Sequence, residues 1–104
     1  MRVCRAVLIA IFVVAGGPLH AQGVVPDSGR SLAATCANCH GTGGASAGVF
    51  SSLAGRTRDE IIAKMHEFKS GRRAGTVMPQ LARGYSDEQI ELAAAWFAAQ
   101  PPAR

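Results

Sequence analysis

The sequence predicts an all-α domain whose middle is filled by something other than side chains. Two capping boxes, Thr57-Arg58-Asp59-Glu60 and Ser86-Asp87-Glu88-Gln89, each open a stretch with apolar residues at helical spacing. No convincing strand lies between them. Large core side chains are also scarce, with four Phe, one Trp and one Tyr in 104 residues, Phe12 falling in an N-terminal apolar run. A domain of this size with so little core needs a staple such as a disulfide, a metal or a bound cofactor.

The first segment, MRVCRAVLIAIFVVAGGPLHAQ, carries Arg2 and Arg5 ahead of a nine-residue apolar run from Val7 to Ala15, then Gly16, Gly17 and Pro18. That is the layout of a secretory signal peptide cleaved after Ala21, with Leu19 standing where a small residue is preferred. An uncleaved anchor or a buried strand is the alternative reading; a membrane span needs about 20 apolar residues, so the run is too short to span. Residues 1–21 are therefore read as signal peptide, residues 22–104 as one domain, and the location as periplasmic. Cys4 leaves with the signal, and two cysteines remain. Removing Arg2 and Arg5 lowers Lys plus Arg from 11 to 9 against seven acids, so the formal charge falls from +4 to +2. So small a balance makes nucleic acid a poor candidate partner.

Asp27 or Ser28 caps the first helix, which runs through Gly29 to Cys39 with Leu32 and Cys36 at i and i+4 and stops at Gly41. The GTGGASAG that follows is loop by composition. The second helix opens on the Thr57 box, turns Ile61, Met65 and Phe68 toward the core, and ends in Lys69-Ser70-Gly71, a cation and a glycine stop. GRRAGTV and the Met78-Pro79 after it lie outside any periodic element and read as loop. The third helix opens on the Ser86 box, with Tyr85 and Ile90 placed as a hydrophobic staple. Its inward positions are Ile90, Ala93, Ala94 and Phe97, flanked by Leu92 and Trp96, before Pro101-Pro102.

The chemistry concentrates in Cys36-Ala37-Asn38-Cys39-His40, CANCH. A closed zinc site needs four ligands, commonly a second Cys or His pair, and the domain offers only a lone His66. A thiol–disulfide exchanger expects its CxxC at a helix N-terminus inside a βαβ pattern, whereas this one lies toward the end of a helix with no strand before it. Covalent haem accounts for all five residues: two thiols add to the two vinyl groups of one porphyrin, and the next residue offers an imidazole nitrogen to the iron. The porphyrin also supplies the missing core. For the sixth ligand the candidates are Met65, His66 and Met78. Met65 is on an apolar helical stripe and His66 on another face of the same helix, whereas Met78 is held by Pro79 on a loop, which makes it the expected ligand.

CANCHGTGG, then SLAG, then FKSGRRAGTVMPQLARGYSDEQIELAAAWFAAQ, resembles the class I c-type cytochromes of bacteria over about Gly29 to Gln100. The second half is similar to the small single-haem cytochromes and, closely, to the cytochrome subunit of flavocytochrome c sulfide dehydrogenase. The resemblance implies the class I cytochrome c fold, three main helices around one covalently bound haem c. It implies Cys36 and Cys39 as the thioether attachments, His40 as proximal ligand and Met78 as distal ligand. It also implies that Gly29 lets the first helix cross closely over the last, at Trp96 or Phe97. One departure stands out: these families often have proline two residues before the Ala of SLAG, its carbonyl accepting the histidine proton, and this chain has Ser51-Ser52-Leu53-Ala54. A serine carbonyl can accept the same bond.

An iron ligated by both His and Met has no vacant position for a substrate, so the expected role is single-electron transfer rather than catalysis. The implied partners are redox proteins. In one reading the protein is a free periplasmic carrier; in the other it is the electron-accepting subunit of a complex with a sulfide-oxidising flavoprotein. A haem-based sensor would require an open or displaceable ligand position. Arg72, Arg73 and Arg83 belong to a basic span, 56–83, whose acids are Asp59, Glu60 and Glu67, and which reads as a solvated face or as a dock for an acidic partner.

Overall fold

The computed structural model describes residues 27–104. The signal-peptide reading of residues 1–21, with Cys4, lies outside them. Four helices follow in chain order: α1, Ser28–His40; α2, Arg58–Ser70; α3, Met78–Arg83; and α4, Asp87–Ala98, with no strand among the described residues.

The three expected main helices form where local chemistry starts and stops them. The Asp27 carboxylate accepts the Arg30 N–H at 3.3 Å to open α1, and the Gly41 N–H closes it on the Ala37 carbonyl at 3.0 Å. Both capping boxes are complete. Thr57 Oγ1 accepts the Glu60 N–H while the Glu60 carboxylate takes the Thr57 N–H, and Ser86 and Gln89 make the same exchange at the start of α4. Gly71 caps α2 in the left-handed conformation.

α1 and α2 both pack on α4, and α3 packs on α2. Ala33, Ile61, Ala94 and Phe97 form the buried cluster, with Cys36, Leu53, Met65 and Trp96 partly buried against it. The α1–α4 crossing is close because Gly29 has no side chain: a Cβ there would stand 2.7 Å from the Leu92 carbonyl oxygen and 3.3 Å from Trp96 Cβ. The crossing expected at Trp96 or Phe97 is thus at Leu92 and Trp96. Phe97 packs instead on Gly44, whose φ of +81° and contact with that ring leave no room for a side chain.

Two expectations about loops are corrected. Met78 is the first residue of the six-residue α3, with Pro79 beside it in the first turn, where a fixed φ suits a helix start. Six residues are too few for periodicity to reveal, and burial of Pro79 and Ala82 holds the helix in place. Within GTGGASAG, Thr42–Gly44 form a 3₁₀ turn. In α4, Leu92 is 45% exposed, so it flanks the core from the solvent side while its carbonyl meets Gly29.

Gly29→Ala is expected to push α1 off the α4 backbone and cost about 1–3 kcal/mol, read as a lower denaturant midpoint of the haem-loaded protein. The Lys69 ammonium, 2.8 Å from Asp87 Oδ1, holds that carboxyl below its ordinary value. Its contribution is therefore complete above the ordinary carboxylate pKa and is lost as pH falls through the lowered one. Asp87→Asn should flatten the acid limb of the stability profile, as followed by thermal unfolding between pH 2 and 7.

Candidate functional site

A cavity of about 370 Å³ lies among the helices, within the range of about 300–1,000 Å³ usual for small-molecule and cofactor sites. Its lining is mostly apolar, with Leu53, Ile61, Phe68, Ile90 and Phe97 among its walls. Cys36, Cys39, His40 and Met78 all line it. The first three share one face of α1, being at i, i+3 and i+4. Met78 comes from α3, 38 positions further along the chain, and no local signal brings it there.

Met65 lines the cavity too, but it is also packed against the buried cluster. His66 does not line it; its Nδ1 lies 3.9 Å from the Asp87 carboxylate.

The loop after α1 orients His40. The Gly44 carbonyl accepts the N–H groups of Leu53 and Ala54 at 2.8 and 3.1 Å, and the Ser46 N–H donates to Ser52 Oγ at 2.9 Å, so the intervening chain folds back on itself. This brings the Ser51 carbonyl 2.6 Å from His40 Nδ1. A carbonyl only accepts, so Nδ1 carries the proton and Nε2 keeps a free lone pair. The position expected to carry the accepting carbonyl, two residues before Ala54, is Ser52; the acceptor is instead Ser51, one residue earlier, because the Ser52 carbonyl takes Arg56 Nε. Phe50 stands beside the imidazole, ring centroids 6.2 Å apart.

Cys36 and Cys39 form no disulfide; Cys36 is half-buried and Cys39 exposed. Burial pushes the Cys36 thiol above its ordinary pKa, and the Thr35 hydroxyl offsets this only in part. A thiol–disulfide exchanger uses the opposite arrangement, a thiolate favoured by the positive end of a helix, and this pair sits in the last turns of α1. For zinc, the described residues contain no converging group of three or more His, Cys, Asp or Glu side chains.

Sequence reasoning missed two site residues. Arg56 and Lys64 also line the cavity, and neither has a carboxylate within ion-pair distance among the described residues. Arg56 Nε is held by the Ser52 carbonyl at 2.7 Å. A signal was available for Lys64: it falls on the Ile61, Met65 and Phe68 stripe, a cation set among core-facing positions. A haem is an apolar plate with two carboxylates and an iron. Two thiols, one imidazole, one thioether and two cations that make no direct ion pair, in a largely apolar cavity, are a donor set that fits it.

The family described as cytochrome c oxidase, cbb3-type, subunit III, matches residues 25–97. The chain belongs to the class I c-type cytochromes. It is 40% identical over 74 residues to the cytochrome subunit of sulfide dehydrogenase of Chlorobaculum tepidum, a match covering 71% of this chain and 67% of that one. It is 35% identical over 96 residues to cytochrome c4 of Pseudomonas aeruginosa, covering 89% of this chain and 47% of the relative. With cytochrome c-554(548) of Halomonas halodenitrificans it shares 31% identity over 77 residues, covering 70% of this chain and 93% of that protein. The cytochrome thus spans about half of one of these relatives and about two thirds of another. As a member of this family it binds covalently attached haem c, with Cys36 and Cys39 in the CxxCH spacing, and it is an electron carrier rather than a catalyst. Among the described residues no helix is long and apolar enough to cross a membrane.

Proposed function

We propose that the cytochrome is exported to the periplasm by residues 1–21 and passes single electrons between redox proteins through an iron held by His40 and Met78. One observation carries the ligand pair: the same apolar cavity receives an imidazole whose Nδ1 proton is already committed to Ser51 and a thioether from a separate helix. Cys36 and Cys39 are the thioether attachments. Haem supplies the one-electron Fe(III)/Fe(II) couple.

The residues do the rest. His40 presents Nε2, and its hydrogen bond to the Ser51 carbonyl fixes the ring and raises its basicity. Met78 offers a soft, neutral donor that favours the reduced iron. The apolar lining keeps water away and biases the couple the same way. Arg56 and Lys64 hold the two propionates. Val49 and Phe50 on one side, Val77 and Leu81 on the other, are cavity-lining residues exposed by 94%, 54%, 56% and 48%. They offer a partner a dry contact at the cavity rim, with Arg72 and Arg83 as exposed charges for steering and Arg73 exposed but paired with Glu67.

The deciding experiment is an optical spectrum of the protein expressed with haem-attachment machinery, oxidised and reduced, with a pyridine haemochrome in denaturant. The expected result is sharp reduced bands, haem retained on the denatured chain and a weak thioether-to-iron band in the red. Met78→Ala should abolish that band and Met65→Leu should keep it; a band that survives Met78→Ala removes Met78 from the iron.

The identity with the cytochrome subunit of sulfide dehydrogenase supports a second reading, in which this chain accepts electrons within a complex that includes a flavoprotein. In that case the apolar rim is a permanent interface. A flavin-containing chain should then co-purify from the native source at constant stoichiometry, whereas a free carrier elutes alone.

A further inference from the structure

The segment that carries Met78 is poorly held by its own backbone. α3 has six residues, and its N-cap, Val77, supplies no side-chain hydrogen bond. A helix this short has no stability of its own, and residues 71–77 before it are all exposed. Its far end is different. The Tyr85 N–H bonds the Ala82 carbonyl at 3.3 Å, and Tyr85 is itself gripped at both ends.

At the backbone, Lys69 Nζ from the end of α2 donates to the Tyr85 carbonyl at 2.8 Å, with Asp87 Oδ1 also at 2.8 Å. At the side chain, the Tyr85 hydroxyl lies 2.8 Å from Thr35 Oγ1 on α1. The direction of that bond follows from counting protons. Thr35 Oγ1 donates its one proton to the Leu32 carbonyl at 2.8 Å, so Tyr85 O–H is the donor to Thr35. Thr35 precedes Cys36, and Tyr85 lines the cavity along with Thr35 and Met78.

We infer that Tyr85 is a latch between the two walls of the haem site, a positioning residue that sets how firmly the Met78 thioether is kept on the iron. The inference rests on Met78 being the sixth ligand. The Tyr85–Thr35 bond ties the α3–α4 corner to the helix bearing Cys36, Cys39 and His40, while Lys69 fixes that corner to α2. Releasing the hydroxyl leaves the ring and its packing in place but lets the α3 wall move away from α1. The thioether then yields more readily to a ligand from solution.

The test is imidazole titration of the ferric, haem-loaded protein, following loss of the red thioether-to-iron band. Tyr85→Phe removes only the hydroxyl and should raise the apparent affinity for imidazole by about fivefold to tenfold, the size of one net hydrogen bond. Thr57→Ala, which removes the cap of α2 at the end of that helix away from Lys69, serves as the control for general loosening: it should lower the denaturant midpoint without changing imidazole affinity. If Tyr85→Phe does not load haem, Lys69→Met carries the same expectation from the backbone side. A red band in the wild-type protein with imidazole affinity unchanged in the variant overturns the latch and leaves the ligand assignment standing. A wild-type protein with no red band, or a band that survives Met78→Ala, overturns the ligand assignment and the latch with it.

Discussion

Four of the seven buried apolar residues among those described are alanines, namely Ala33, Ala54, Ala82 and Ala94, and only Ile61, Ile90 and Phe97 add bulk. Small residues let helices approach closely but bury little surface, and burial drives folding in proportion to apolar area. The helices therefore meet along thin seams, and the space between them is left to the porphyrin. Haem c, which this family attaches covalently, would fill that cavity, so binding it and completing the fold would be linked events.

The same shortage explains why polar bonds carry so much of the site's geometry. The Gly44 carbonyl folds the loop that delivers Ser51 to His40, and Phe97 packs on that glycine from α4. A residue at the far end of the chain thus helps aim the imidazole. The Met78 side is built the same way, with Tyr85 joined to α1 through Thr35 and to α2 through Lys69. Each of these bonds is worth only about 1 kcal/mol in net stability. Their value lies in fixing distances across a cavity that side chains alone do not span.

Charge divides along the same line. Arg58, Lys69 and Arg73 are paired with Glu91, Asp87 and Glu67 on the surface, where an ion pair contributes little. Arg56 and Lys64 line the cavity and make no direct ion pair with a carboxylate among the described residues. Glu60 acts on both only from beyond ion-pair distance, so two partly buried cations at the wall of an apolar cavity match a cofactor that brings its own carboxylates.

What the sequence determined by itself is what short-range chemistry encodes. The capping boxes at Thr57 and Ser86 are contacts between residues three apart, and they formed as read. CANCH is legible for the same reason, because five adjacent residues define both the attachment and the histidine. The stripe of Ile61, Met65 and Phe68 marked the cavity face of α2. The tertiary structure decided everything that depends on residues meeting across the fold. Whether Met78 lies in a loop or a helix turned on burial of Pro79 and Ala82. The carbonyl that orients His40 turned on a loop closed by Gly44, and the cations in the cavity turned on where α2 rests. Tyr85 reads as a staple in the sequence, and only the packing of α1 against α4 brings Thr35 within reach of its hydroxyl, because a bond between residues 50 positions apart leaves no periodic trace.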